Sequence, residues 1–452
     1  MKNKGFTLIE LLGVIMILAI LSLITFPPLL DQIKKSKQEI KSSTQELIID
    51  AAKDYYEDNI NAYEKVEGMT YCIDINTLTD NGYLNKKIKD ENINDISNTQ
   101  KVKMIYHNNK FDYDVVNSCT NNSLARNNIE VPIVTEDSGL YKSQTDEGRY
   151  IYRGGDPINN WIELNEGTEQ SPNYVKYRII SFEQDGTIKV VRNLTIGHRA
   201  WDEESNNRNN DENLFCKSSG TYYGCNVWGN QNNTYLEGNK LDTFFSYKYY
   251  RDNTENEMRF TSTEKSVTKD SSINTYLNGT WLQEKKILGK YIIQHDYYVG
   301  GINYYSGYSG GDKGIVKEKQ EEQILIWNGK IGLQSITESV ESSIDPSCTS
   351  VYSNYYYAKN SEGKMLKDNL PESGWPCKKT YNWLVGGARW TITAVSSNNY
   401  QVWTISDLFG QNGPKFDNTN THPAFYLKPD ISLTGEGSET NPYRIVGESW
   451  KN

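Results

Sequence analysis

The sequence is poor in histidine and contains none of the common catalytic or nucleotide-binding motifs. Its four histidines, His107, His198, His295 and His422, are far apart, and no HExxH, GxSxG, Walker or Rossmann glycine pattern occurs. His198 lies in the segment Gly197–Asp202, which could form a site, but a structural hydrogen bond is the more common role for such a residue. We therefore expect no catalytic residue, no cofactor and no enzymatic activity.

A basic stripe and a defined metal loop are also missing. The formal net charge is −10 and the pI is near 5.2, so nucleic acid is not an expected partner. The acidic, Asn-rich segment 202–212 could offer oxygen ligands to Ca²⁺, but it lacks the D-x-D-x-D-G spacing of a calcium loop, and we expect no metal. The 33 tyrosines outnumber the 11 phenylalanines, which suits an exposed surface for glycan or protein contact; codon bias in an AT-rich genome is the alternative.

The six cysteines form no CxxC pair and show no zinc-type spacing with histidine. They fall into three couples that are close in sequence: Cys72 with Cys119, Cys216 with Cys225, and Cys348 with Cys377. Three disulfides in an oxidising, extracytoplasmic compartment explain the even number, and six reduced thiols in a cytosolic protein are the alternative. We predict the three couples as the bonded pairs, although the sequence alone leaves other connectivities open.

Charge is nearly absent from the first thirty residues. Between Phe6 and Leu30 the only charged residue is Glu10, and Leu11–Leu30 is long enough to cross a bilayer as a helix. A secretory signal has a shorter apolar region and an A-x-A-like cleavage site, and neither is found here. The segment is therefore predicted to be a retained membrane helix. A carboxylate inside such a helix suggests a functional partner, whereas snorkelling to the headgroups is the structural alternative.

The segment Lys4–Leu12 (KGFTLIELL) resembles the processing motif of type IV pilins and pseudopilins. This resemblance implies that a prepilin peptidase cleaves between Gly5 and Phe6 and that the new Phe6 amine is N-methylated. It also implies that Glu10 pairs with the Phe6 amine of a neighbouring subunit during assembly, which would neutralise the buried carboxylate.

Two adjacent prolines, Pro27 and Pro28, lie near the end of the apolar segment. Pilins commonly have a proline at this place, so the resemblance implies a helix kink; a simple break at the membrane surface is the alternative. Lysines flank both ends of the apolar segment, so charge leaves the topology open. The motif and the cysteines favour a cytoplasmic N-terminus and an extracellular bulk.

The length of 452 residues indicates two or three domains, and we expect an α+β protein. We predict a leader at 1–5, a transmembrane and assembly helix at 6–60, a small β head at 61–125, a linker at 126–149 with one strand near 129–134, and an extracellular α+β domain at 150–452. Alternation at Lys101–Tyr106 and Phe111–Val115 predicts a hairpin in the head. The head resembles that of small pilins from low-GC Gram-positive bacteria, in which a Cys72–Cys119 bond would clamp it.

The large domain is predicted to be mostly antiparallel, with long loops. Hairpins are expected around Gln184-Asp185-Gly186, around Asn328-Gly329 (between 324–327 and 330–334) and around 397–399, together with a helix near 271–285. Residues 150–446 resemble a domain family of unknown function from surface proteins of Gram-positive bacteria, through segments such as Tyr152–Asn160, Ile273–Trp281 and His422–Pro429. This resemblance implies a fold akin to C-type-lectin-like domains and no known activity.

The favoured hypothesis is a minor type IV pilin that presents the large domain for surface adhesion to a glycan or protein ligand. Its expected partners are the prepilin peptidase, other pilin subunits, the membrane and the pilus assembly platform. A pseudopilin of a secretion or DNA-uptake machine is the first alternative. A membrane-tethered extracellular enzyme is the second, and it would require a clustered acid/base or metal site within residues 150–446.

Overall fold

A computed structural model describes residues 8–86, 88–89, 100–203, 226–229, 233–237, 240–243, 247–249, 258–260, 270–302, 314–354, 377–395, 401–406, 409–413 and 416–447. The chain divides into two compact units, residues 1–125 and 126–452. The predicted cysteine couple Cys216–Cys225 lies outside the described residues, as do Gly5 and Phe6.

The first unit is built on one long helix, α1 (Leu8–Asp58). Its 51 residues correspond to a length of about 75 Å at the usual helical rise. Most of the large apolar side chains between Leu8 and Leu30 are exposed, whereas the last turns bury Ile48, Ala51 and Ala52. The helix therefore has an apolar first half with no cover in this unit and a second half that packs through small side chains.

The end of α1 packs against four strands of an antiparallel sheet. These strands are β1 (Met69–Asp74), β2 (Lys101–His107), β3 (Lys110–Val116) and β4 (Ser123–Arg126), and they lie in the order β3-β2-β1-β4. The predicted hairpin in the head is confirmed, because Asn108 and Asn109 both adopt the positive φ that a two-residue turn requires. A short helix, α2 (Ile75–Asp80), follows β1 and ends before Gly82, which has a φ of +84°.

The second unit is centred on an eight-stranded antiparallel sheet. The main path is β15-β22-β10-β9-β7-β6, with β18 paired to β22 and β8 paired to β9. The strands are β6 (Gly139–Lys142), β7 (Tyr150–Arg153), β8 (Trp161–Asn165), β9 (Tyr174–Phe182), β10 (Ile188–Arg192), β15 (Ile292–Ile293), β18 (Ile331–Gly332) and β22 (Ala424–Leu427). An earlier strand, β5 (Ile129–Pro132), and β6 both lie in the stretch predicted as a linker, and β6 pairs with β7.

Smaller sheets complete the second unit. One has the order β12-β11-β17-β16, from β11 (Asn233–Glu237), β12 (Lys240–Thr243), β16 (His295–Tyr298) and β17 (Leu325–Gly329). Another has the order β19-β20-β21, from β19 (Arg389–Ala394), β20 (Val402–Ile405) and β21 (Phe409–Asn412). Two ladders pair β13 (Tyr247–Tyr249) with β14 (Met258–Phe260), and β23 (Leu433–Thr434) with β24 (Arg444–Ile445).

The helices of the second unit are short. The predicted helix near 271–285 is confirmed as α3 (Ser272–Tyr276), a π turn (Leu277–Trp281) and α4 (Leu282–Glu284). Two more helices are α5 (Ile315–Gln323) and α6 (Ile336–Glu341). The α+β class expected from the sequence is confirmed, and none of the described sheets closes into a barrel.

One predicted hairpin is wrong. Residues Asn328 and Gly329 do not turn the chain back; they continue β17, where they pair with Asp296 and His295 of β16. The next strand, β18, instead joins β22 in the large sheet. Gly329 is required for a different reason, because a Cβ at this position would lie 2.0 Å from the ring of Trp327.

Two of the three predicted disulfides are present in the structure. Cys72 is bonded to Cys119 in the first unit, and Cys348 is bonded to Cys377 in the second. Cys377 is fully buried in an apolar cluster that includes Ile336, Val340 and Trp403. This second bond therefore ties the segment after α6 to the core beneath β20.

Candidate functional sites

The N-terminal helix places the predicted assembly residue on an exposed apolar surface. Glu10 is exposed in the first turn of α1, and the neighbouring Leu8 and Ile9 are each 80 % exposed. Within the described residues, α1 is the one helix whose length and composition would let it cross a membrane. A carboxylate with such neighbours is costly in lipid unless a cationic partner neutralises it.

The two prolines do not interrupt the helix. Both Pro27 and Pro28 lie inside α1, which continues for thirty residues beyond Pro28 to Asp58. Each proline lacks the N–H that would bond four residues back, so one turn of the helix has carbonyl oxygens without their usual donors. The Ser22 hydroxyl, one turn earlier, donates to the Leu18 carbonyl oxygen at 2.7 Å.

A second candidate site is a cavity of about 490 Å³ inside the second unit. It is lined by the segment between β6 and β7, by the turn between β9 and β10, by β16, and by side chains from β10, α5, the start of α6, β19 and β22. Its walls combine charged groups with three tyrosines, Tyr297, Tyr298 and Tyr426. Among the described residues, no group of three or more His, Cys, Asp or Glu side chains is arranged to hold a metal ion.

Arg149 is the centre of the charged wall. Its side chain is 4 % exposed and lies within 3.3 Å of four carboxylates, which belong to Asp146, Glu183, Glu338 and Glu341. Burial alone would lower the pKa of this guanidinium, but the four carboxylates raise the pKa well above its usual value. The planar guanidinium has five N–H donors on three nitrogens in a rigid fork, whereas a lysine has three donors on a single nitrogen.

Glu338 connects this wall to α6. Its Oε2 accepts from the Ser335 backbone N–H at 2.9 Å and completes a capping box at the start of the helix. Its Oε1 accepts from Arg149 at 3.0 Å and from Lys189 at 2.5 Å. Burial opposes ionisation of Glu338, but attraction to Lys189, Arg149 and Lys319 outweighs it and lowers the pKa to about 2.

Lys319 supplies the third buried cation, from α5. Its Nζ lies 3.9 Å from a carboxylate oxygen of Asp146 and 3.9 Å from one of Glu322, and 4.7 Å from the centre of the Tyr298 ring. Burial raises the pKa of Glu322, although Lys319 and the hydroxyls of Thr337 and Thr393 oppose this shift.

The rim of the cavity carries a histidine–aspartate pair. His295 Nε2 lies 3.1 Å from Asp185 Oδ2, and the imidazole stacks on Tyr426 with ring centres 3.8 Å apart. Burial would lower the pKa of His295, but the bond to Asp185 and other acceptors raises the pKa overall. The same bond holds the pKa of Asp185 well below its usual range.

The other histidines of the second unit lie elsewhere. His198 forms a backbone bridge with Asn420. His422 Nδ1 lies 3.0 Å from the carbonyl oxygen of Arg192, and burial, reinforced by Arg389, lowers its pKa to about 3. A neutral, buried imidazole of this kind is a structural group.

Sequence reasoning missed the charged cavity. Its residues come from segments that are far apart, and Arg149 and Glu338 are separated by 189 positions. One local signal was available, because Ser335 and Glu338 form the S-x-x-E spacing of a capping box before an apolar helix face.

Comparison with known proteins identifies only the N-terminus. Residues 1–26 match the family model described as the prokaryotic N-terminal methylation motif. No curated protein and no solved structure matches the chain. The resemblance of residues 150–446 to a surface domain family has no support from these comparisons and stays a prediction.

The match covers Gly5, Phe6 and Glu10, and it makes the N-terminus type IV pilin-like. The motif implies processing by prepilin peptidase and assembly with other pilins. Together with the apolar α1, it fits a single-pass, membrane-anchored surface protein.

Proposed function

We propose that this chain is a minor subunit of a type IV pilus-like filament and that its second unit binds a ligand at the cell surface. The observation that carries the proposal is the methylation motif at residues 1–26, followed directly by the apolar half of α1. Prepilin peptidase cleaves between Gly5 and Phe6, the assembly platform extracts the processed subunit from the membrane, and Glu10 pairs with the Phe6 amine of a neighbour. A pairing of opposite charges offsets much of the cost of burying each alone.

The first unit serves assembly, and the second unit serves ligand binding. The exposed apolar side chains of α1 supply the surface by which subunits pack, whereas the sheet of the first unit buries the other end of the same helix. The second unit spans residues 126–452, and such a mass on every subunit would crowd a homopolymer, so we propose a minor component. The disulfides Cys72–Cys119 and Cys348–Cys377 support an extracellular position for both units and a cytoplasmic N-terminus.

We propose a binding role for the second unit and not a catalytic one. The carboxylates that line the cavity from inside, Asp146, Glu183 and Glu338, are each within 3.3 Å of Arg149. For Asp146 and Glu338 the buried cations lower the pKa, and a carboxylate of lowered pKa is a poor general acid near neutral pH and a weak general base. The same contacts hold the side chains in fixed positions, which favours ligand recognition.

The proposal is tested by following incorporation into filaments in the native host. Glu10→Ala should lower the amount of this chain in sheared filaments by about tenfold or more, because the apolar helix then lacks its charged pairing partner. Glu46→Ala is the matched control, since Glu46 lies on the same helix outside the apolar segment and is exposed. Mass spectrometry of the sheared fraction measures both variants against wild type.

Processing is tested separately. Gly5→Leu should leave the five leader residues on the chain and keep it in the membrane fraction, and wild type should show an N-terminal Phe6 peptide with one added methyl group. Wild-type levels of both variants in filaments, or an unprocessed N-terminus in wild type, would refute the assignment. Recovery of wild type in a secretion-system pseudopilus instead would favour the pseudopilin alternative.

A further inference from the structure

We propose that the cavity at the β9–β10 turn binds an uncharged, polyhydroxylated ligand, a sugar unit of a glycan. This inference rests on the proposed function only in taking the second unit to be a binding module. The volume of about 490 Å³ lies within the range of small-ligand sites and is large enough for one or two sugar rings.

The charge of the lining argues against an anionic ligand. Four basic side chains line the cavity, Arg149, Lys189, Lys319 and His295. Six carboxylates line it as well: Asp146, Glu147, Glu183, Asp185, Asp296 and Glu338. A phosphate, sulfate or carboxylate group would therefore enter a site with an excess of its own charge.

The arrangement of the inner charges argues against a cationic ligand. Glu338 is already contacted by Arg149 and Lys189, at 3.0 and 2.5 Å. Asp146 is already contacted by Arg149 at 3.3 Å and by Lys319 at 3.9 Å. An ammonium group placed at either carboxylate would meet two buried cations, and like charges at such distances repel strongly in a poorly solvated site.

Hydroxyl groups meet neither obstacle, because each can donate to a carboxylate oxygen and accept from a cation. The cavity wall alternates the two kinds of group: the acceptors Asp146 and Glu338 lie beside the donors Lys189 and Lys319. A ligand with several adjacent hydroxyls can use both, and hydrogen bonds with charged partners are stronger than neutral ones.

Aromatic side chains supply the apolar contact that a sugar ring needs. Tyr297, Tyr298 and Tyr426 line the cavity, but Tyr297 and Tyr426 are only 1 % and 6 % exposed, and Tyr426 is stacked on His295. Tyr298 is half-buried and is the tyrosine that a sugar ring can reach. The C–H face of a pyranose is apolar and packs on such rings, while its hydroxyls point to the polar wall.

The site is held in place before any ligand arrives. Asp146 Oδ1 accepts from Gln323 at 2.8 Å, and Glu183 Oε1 accepts from Ser181 at 2.5 Å and from Arg149 at 3.2 Å. Side chains fixed in this way lose little conformational entropy on binding.

The test uses the full chain in a zwitterionic detergent without sugar headgroups, since maltosides and glucosides would themselves occupy such a site. The ligand panel has three arms: neutral oligosaccharides of hexoses and N-acetylhexosamines, sialylated and sulfated oligosaccharides, and the polyamines spermidine and spermine. Saturation-transfer difference NMR selects the ligands, and calorimetric titration measures their Kd.

Two variants address the cavity without removing the buried network. Gln184→Trp places a large side chain at an exposed position on the rim, and Tyr298→Ala removes one aromatic wall. Gln170→Trp is the matched control, because Gln170 is also exposed and does not line the cavity. Near-UV circular dichroism checks that all three variants keep the native fold.

The expected result is binding of a neutral oligosaccharide by wild type and by Gln170→Trp, with Kd raised about tenfold or more in both cavity variants. Binding only in the charged arms, no binding of any neutral glycan, or equal Kd in all variants would overturn the proposal. The binding assay uses the purified chain and does not depend on filament incorporation. A failure to bind glycans would therefore leave the pilin proposal standing, and a failure to enter filaments would leave the binding result standing.

Discussion

Removal of the Arg149 guanidinium should destabilise the second unit more than any exposed ion pair can. Arg149→Met keeps most of the side-chain volume but leaves four carboxylates without their shared cation. Lysines remain near two of them, Asp146 and Glu338, while Glu183 and Glu341 lose the ion pair with Arg149. Removing one partner from a buried ion pair costs about 3–5 kcal/mol, so we expect a loss of about 4 kcal/mol in the free energy of unfolding.

Urea denaturation followed by tryptophan fluorescence measures this loss directly. All ten tryptophans lie between residues 161 and 450, so the signal reports the second unit alone. Domains are commonly stable by about 5–15 kcal/mol, so a loss of this size shifts the midpoint clearly.

Two further variants serve as comparisons for Arg149→Met. Lys290→Met removes an exposed ion pair: Lys290 lies 3.0 Å from Glu169, and both side chains are at least 60 % exposed. The free energy of unfolding should fall by less than about 1 kcal/mol. Arg149→Lys keeps the charge with fewer donors and should fall between the two. If Arg149→Met costs no more than Lys290→Met, the buried network does not stabilise the fold.

Acid should weaken the second unit through the same network. The folded pKa of Glu338 is lowered to about 2 from an ordinary value near 4.5, so its contribution of roughly 3 kcal/mol is present above about pH 4.5 and is lost as the pH falls towards 2. Glu338→Gln should be less stable at pH 7 and should lose this pH dependence, and an unchanged acid-unfolding curve would contradict the ion pairing. Replacing Cys348 and Cys377 by serine opens a link that spans 29 positions and should cost about 3 kcal/mol in the same fluorescence assay. The corresponding double replacement at Cys72 and Cys119 is the control, since the first unit contains no tryptophan.

Local signals in the sequence predicted the elements that depend on neighbouring residues. The uncharged run from Leu11 to Leu30 predicted a helix, and the alternation at Lys101–Tyr106 and Phe111–Val115 predicted a hairpin. Its turn is formed by Asn108 and Asn109, because asparagine tolerates a positive φ. The hairpin of β9 and β10 followed from the turn at Asp185-Gly186, in which Gly186 adopts a φ of +86°.

The features that were predicted wrongly or missed depend on contacts between residues far apart in the sequence. Asn328-Gly329 has the composition of a hairpin turn, but β16 pairs with β17 through Asn328 and Gly329, while β11 pairs with the other edge of β17 as far as Trp327. Tertiary pairing overrides a turn propensity of at most a few kcal/mol. The charged cavity has no motif, because Arg149 meets Glu338 and Glu341 only after strands and helices from across the unit are assembled.

The side-chain amide of Asn127 joins the beginning of the second unit to a segment near its end. Its Nδ2 donates to the carbonyl oxygens of Pro429 and Ile431, at 2.9 and 2.8 Å, across separations of 302 and 304 residues. The segment where the chain enters the unit therefore lies beside one of its latest segments, as in domains that tolerate insertion into other proteins. A label that must lie away from the segment where the chain enters the second unit therefore belongs in an exposed loop and not on these late residues.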